Sequence, residues 1–123
     1  MRLKKLYQIN DFRSANKYNL IILNGMWLEK SNSSCMIEEV TPCVIMSITN
    51  YRNETTSFAF LKKQTPIIGE SVLFAKGSSV VDIPSGCNIE IEVPSDAEYL
   101  YVLSTNENGN NTIPEVLSYV YTN

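Results

Sequence analysis

Apolar and polar residues alternate most regularly between Asn88 and Ser104. Ile89, Ile91 and Val93 fall on one side of that run, and Glu90 and Glu92 on the other. Pro94-Ser95-Asp96 breaks the pattern, and Tyr99-Leu100-Tyr101-Val102-Leu103 follows. A period of two, a turn and then β-formers predict two strands sharing a half-buried sheet. The same grammar recurs upstream. Leu20 to Leu23, Asn24-Gly25 and Met26 to Leu28 predict a hairpin, because Asn and Gly both tolerate positive φ.

Cys35–Glu39 and Cys43–Thr49 read as strands separated by Thr41-Pro42, with Val44, Met46 and Ile48 opposing Ile45, Ser47 and Thr49. Asn50 to Glu54 is a polar loop, and Thr56–Leu61 is a strand with Phe58 and Phe60 on one face. Ser71–Ala75 and Ser79–Ile83 are further candidates around a Lys76-Gly77 turn. Ile83-Pro84-Ser85-Gly86 and Val93-Pro94-Ser95-Asp96 repeat one device: proline, which cannot donate to the ladder, ends a strand and starts a turn. After an Asn/Gly-rich loop over Thr105–Thr112, Val116, Ser118 and Val120 oppose Leu117, Tyr119 and Tyr121.

This adds up to roughly eight to ten short strands with turn signals about every 8–12 residues. The expected fold is all-β, an antiparallel two-sheet β-sandwich that admits the jelly-roll form, with a flattened β-barrel as the alternative. Residues 20–123 form one such domain. Residues 1–19 stand apart, because Leu3, Leu6, Tyr7, Ile9 and Phe12 fit neither the helical nor the strand period. They read as a basic N-terminal arm or edge segment, with a short amphipathic helix as a further option. Arg2, Lys4, Lys5, Arg13 and Lys17 are its candidate docking residues.

Charge sharpens that asymmetry. The net charge of −3 hides nine basic against five acidic residues up to Lys63 (+4), and one against eight from Gln64 onward (−7). Such a split either intermixes over a solvated surface after folding or suits complementary docking between neighbouring copies or with a partner. A pI near 4.9, with no basic run longer than a pair, argues against nucleic acid. No apolar run approaches the roughly 20 residues of a membrane span, and Met1–Lys5 leads into polar residues rather than a signal-peptide core. The expected setting is therefore intracellular, with Cys35, Cys43 and Cys87 reduced; their odd number and spacing suit neither a disulfide framework nor zinc. Three glycosylation sequons read as chance in an Asn-rich chain.

Candidate chemistry is thin. The chain has no histidine, which removes Ser-His-Asp and Cys-His catalysis, and its five glycines form no phosphate-binding loop. Glu90 and Glu92, about 7 Å apart on one strand face, match a glycosidase separation but read as the wet side of an amphipathic strand. Glu38-Glu39 with Asp96 and Glu98 would make a calcium site only without the usual ligand ladder. No catalytic, cofactor or metal residue is therefore expected. Trp27 and Tyr51 are candidates for a glycan platform, against a core tryptophan. Tyr99, Tyr101, Tyr119 and Tyr121 repeat at strand spacing and, if their strands pair, form a ladder for packing or subunit contact.

The stretch from Phe58 to Thr105, above all Ile91-Glu92-Val93-Pro94-Ser95-Asp96-Ala97-Glu98-Tyr99-Leu100-Tyr101-Val102, resembles the strand–turn–strand of small β-sandwich domains in tailed-bacteriophage virion proteins. Head-decoration and fibre components of phages of gut Bacteroidetes are the nearest in style; related sandwiches occur in adhesins and carbohydrate-binding modules. The resemblance implies a non-enzymatic structural subunit (decoration, fibre or adaptor) made in a bacterial cytoplasm and built into a virion. Its partners would be other virion proteins and further copies of itself, with no nucleic acid, membrane or cofactor. The alternative is a carbohydrate-binding or adhesion module recognising host glycan.

Overall fold

Asn24 and Gly25 adopt φ of 52° and 75°, the two left-handed conformations that a type I′ turn requires. They join β3 (Ile21–Leu23) to β4 (Met26–Leu28) in a tight antiparallel hairpin. The two proline devices are four-residue turns that differ in backbone, since Gly86 takes a positive φ of 77° in the first while Asp96 in the second does not. The Cys87 N–H donates to the Pro84 carbonyl and the Ala97 N–H to the Pro94 carbonyl, both at 3.1 Å. The first separates β8 (Val81–Ile83) from β9 (Asn88–Glu92), and the second leads from β9 to β10 (Tyr99–Thr105).

The structure is a computed structural model describing residues 2–122, which form eleven strands. Sheet A is ordered β1 (Leu3–Asn10), β11 (Glu115–Thr122), β6 (Ile45–Thr49), β9. Sheet B is ordered β2 (Asn16–Tyr18), β5 (Ser34–Glu39), β10, β7 (Thr56–Leu61), β8. All strand pairs are antiparallel. With β2 and the β3–β4 hairpin set aside, the first strand pairs with the last (β1 with β11), the next with the next-to-last (β5 with β10), and so inward through β6 with β9 to β7 with β8. That nesting is a folded ribbon wrapped into two sheets, the winding of a jelly roll. Among the described residues neither sheet closes into a barrel.

Sheet B is covered on both faces. Phe58, Phe60, Leu100 and Val102 point toward sheet A, meeting Met46, Ile48, Val93 and Val116 in the inter-sheet core. Cys35, Ile37, Ala59, Leu61 and Tyr101 point the other way, into a second core roofed by Leu20, Ile21, Ile22, Trp27 and Val72. All six residues of β7 are consequently buried. The roof is clasped by Gln64, whose Oε1 accepts from Trp27 Nε1 (3.0 Å) and from the Leu73 N–H (2.9 Å). This corrects the expectation of a strand over Ser71–Ala75. With the Leu73 amide taken by a side chain, the segment makes only isolated bridges, Ser71 to Met26 and Phe74 to Leu61.

Asn50 turns the chain between the sheets, and its side chain is fully buried. Its Nδ2 donates to the carbonyls of Glu54 (2.7 Å) and Ile83 (2.9 Å), and its Oδ1 accepts from the Arg52 N–H (3.0 Å). Replacing it by Ala leaves buried carbonyls without a donor, so Asn50→Ala is expected to lower unfolding free energy by about 1–3 kcal/mol in urea titration.

Candidate assembly surface

β1 explains why the first residues obey no single period. Tyr7 forms a bulge, shifting the register against β11 between Leu6 and Gln8 and reversing which residues face outward. Before the bulge Lys4 stands opposite Tyr121 and Leu6 opposite Tyr119; after it Ile9 stands opposite Leu117. Directly opposed residues share a face, so Lys4, Leu6 and Ile9 join Leu117, Tyr119 and Tyr121 on the outer side of sheet A. Ile45 continues this surface on β6, and Glu92 and Glu90 close it on β9.

The strip is basic at the β1 edge, apolar and aromatic in the middle, and acidic at the β9 edge. Arg2 lies over the Tyr121 ring at 4.3 Å and Lys4 near the Tyr119 ring at 5.5 Å, attracted by the ring faces. Lys4 also reaches Glu90, whose hydrogen bond holds the ammonium above its ordinary pKa. The edge strand stays open to solvent: Leu3, Leu6, Tyr7 and Ile9 are 49–62% exposed. A natural sheet edge is ordinarily blunted by charge, brevity or cover. This one carries lysines yet is eight residues long and apolar on both sides.

The anticipated docking residues are dispersed over this fold. Arg2 and Lys4 lie on the outer face, whereas Lys5 stands opposite Val120 on the other side of β1. Arg13 pairs with Asp11 at 3.0 Å in the turn beyond β1, and Lys17 sits on β2 at the edge of sheet B. Residues 3–18 thus supply an edge strand to each sheet. Asn10 and Phe12, buried, tie the segment to the core, with the Phe12 N–H donating to Asn10 Oδ1 at 3.0 Å.

The four tyrosines do not form one ladder, because β10 lies in sheet B and β11 in sheet A. Tyr101 is buried against Trp27, edge to face at 6.0 Å, and its hydroxyl accepts from the Ile22 N–H at 3.2 Å. Tyr99 is half-buried; Tyr119 and Tyr121 belong to the outer strip. Trp27 has no exposed surface and so no ring face to offer a sugar, while Tyr51 is 72% exposed in the loop after β6. Sequence reasoning passed over Leu6, Ile9, Ile45 and Leu117 as a surface. Its one signal was the out-of-phase apolar residues before Asn10.

Elsewhere the acids serve the fold. Asp96 accepts from the Lys76 N–H with both oxygens at 3.1 Å and lies 3.6 Å from Lys62. Among the described residues no three Cys, Asp or Glu side chains gather in a metal-binding arrangement. A groove of about 530 Å³ between the β3–β4 hairpin and sheet B is lined by Ile22, Leu23, Phe74, Val80 and Leu103. No helix among the described residues is long and apolar enough to cross a membrane. No protein-family model matches this chain, and no curated protein matches it in sequence.

Two titrations follow. Burial pushes the Cys35 thiol up to about 12, while Cys43 and Cys87 are exposed. A thiol reagent near neutral pH is expected to modify Cys43 and Cys87 in the folded protein and Cys35 only after denaturation, counted by mass. Glu38 lies partly buried with Oε2 unpartnered. Desolvation raises its carboxyl above the ordinary 4.5, Asn10 draws it back and Asp11 adds to the rise. A raised carboxylate contributes most when protonated, and that stability is lost as pH rises through the folded-state value. Glu38→Gln should therefore unfold at higher urea than the parent near neutral pH, and lose that advantage below 4.5.

Proposed function

We propose that this protein is a non-enzymatic structural subunit, a jelly-roll block that assembles through sheet A into a larger particle. The β1 edge carries this reading: an eight-residue strand with a free side and four large apolar side chains left in water. Exposed apolar surface of this kind marks interaction sites, and strand addition to an open edge is a common way of using it. Jelly rolls serve both capsid and lectin domains, so the winding alone is an argument by analogy. Trp27, sealed in the second core, weighs against the lectin side. The Phe58–Thr105 resemblance weighs for a tailed-phage virion, where a decoration, fibre or adaptor subunit is made in the bacterial cytoplasm and docked on its neighbours.

The test is co-sedimentation. The protein recovered from the cells that make it should travel with large particles. The Leu6→Asp/Ile9→Asp variant, altered only at exposed outer-face positions, should stay at low mass. Its unfolding free energy should remain within about 1 kcal/mol of the parent, as surface substitutions usually do. Parent protein confined to the low-mass fraction would overturn the reading.

A further inference from the structure

We propose that the partner at the β1 edge is a second copy of this chain, taken head to tail, so that β1 of one copy pairs with β9 of the next and sheet A runs on across the junction. This rests on the assembly reading above and specifies its partner.

Backbone parity supports it first. In an antiparallel sheet, alternate residues point their N–H and C=O to opposite neighbours. The Val93 N–H donates to Val44 (2.9 Å) and its carbonyl accepts from Cys43 (3.0 Å), while the Cys87 carbonyl accepts from Asn50 (2.9 Å). Odd-numbered residues of β9 therefore serve β6, and Asn88, Glu90 and Glu92 present their backbone groups to the free side. Carried through the registers, Ile45, Ser47 and Thr49 serve β11, and Val116, Ser118, Val120 and Thr122 serve β1. Lys4 and Leu6, opposite Tyr121 and Tyr119, are left facing outward from β1. Among the described residues, both edges thus present unpaired backbone groups from residues whose side chains lie on the same outer face.

Direction and charge agree. Across the four strands β1 and β9 run antiparallel, so β9 followed by the next copy's β1 keeps the alternation. Setting Lys4 against Glu90 places Arg2 against Glu92 and Leu6 against Asn88 on the outer face, with Leu3 against Ile91 beneath. Two opposite-charge pairs and one apolar pair are favourable cross-strand neighbours. Pairing β1 with another β1 would instead bring two basic edges together. A junction between two different edges is heterologous and builds a ring or a filament.

Within one chain Lys4 and Glu90 sit at opposite sheet edges, three strand spacings or about 14 Å apart. That exceeds the Cα separation a disulfide spans, about 7 Å at most. In a Cys43→Ser/Cys87→Ser background, Lys4→Cys/Glu90→Cys is therefore expected to give an intermolecular ladder under oxidation, with neither single variant doing so. Separately, Lys4→Glu and Glu90→Lys should each shift the purified protein to lower mass, and an equimolar mixture should restore the assembly. A dimer from Lys4→Cys alone, or no ladder together with no rescue on mixing, would overturn the β1–β9 pairing. If that failure comes with parent protein that still co-sediments with particles, assembly through sheet A survives and only the partner is wrong. If co-sedimentation fails too, both fall.

Discussion

The fold turns on the burial of both faces of β7 and β10. A strand covered on both sides must be apolar at consecutive positions, and Phe58-Ala59-Phe60-Leu61 and Leu100-Tyr101-Val102 are. Phe58 meets Phe60 edge to face at 5.7 Å on the side toward sheet A, and Tyr101 meets Trp27 on the other. The hairpin and the Gln64 clasp exist to cover that second side. Sheet B has little surface left to offer as a result. Sheet A, covered on one side only, retains an outer face and two edges, where Leu3, Leu6, Tyr7 and Ile9 stay exposed.

Much of this was written locally. Asn24-Gly25 announces its hairpin because its φ requirement is met by few other pairs, and the Pro84 and Pro94 turns declare themselves by a missing donor. The inward set Val44, Met46, Ile48 and the outward set Leu117, Tyr119, Tyr121 follow from the pleat. What was not legible depended on distant partners. Tyr99 and Tyr101 look like Tyr119 and Tyr121 in spacing, yet only strand order decides that one pair enters sheet B and the other sheet A. β1 was hidden by its bulge, since one extra residue at Tyr7 reverses the phase that a periodicity argument tracks. Asn50 was read as part of a polar loop, but its amide is the hub of a buried corner. The candidate surface was the least legible part, because a free edge is defined by what does not pair with it.

The charge split along the chain acquires a spatial meaning through the winding. A ribbon folded so that its first strand pairs with its last places β1 at one edge of sheet A, and the same nesting sends β9 to the opposite edge. Arg2 and Lys4 from the basic beginning of the chain and Glu90 and Glu92 from its acidic second half are thereby carried to the two edges of a single sheet. Elsewhere the two halves do intermix: Lys30 meets Glu107 at 3.2 Å and Lys62 meets Asp96 at 3.6 Å, and Lys4 itself reaches Glu90.

That arrangement also bears on why so exposed an edge is tolerated. A long, apolar edge invites indiscriminate pairing, and lysines on β1 act against that by repelling a second β1. In the proposed pairing the same lysines are no barrier to a strand bearing Glu90 and Glu92 at matching positions, so protection against one partner and selection of another would come from the same residues. Lys4 held against Glu90 within the chain keeps this charge matched before any neighbour arrives. Forming the proposed junction then exchanges one ion pair for another, and the net gain must come from the edge hydrogen bonds and from covering Leu3 and Leu6. If the proposed junctions closed a ring, the last contact would be intramolecular and would gain from effective concentration.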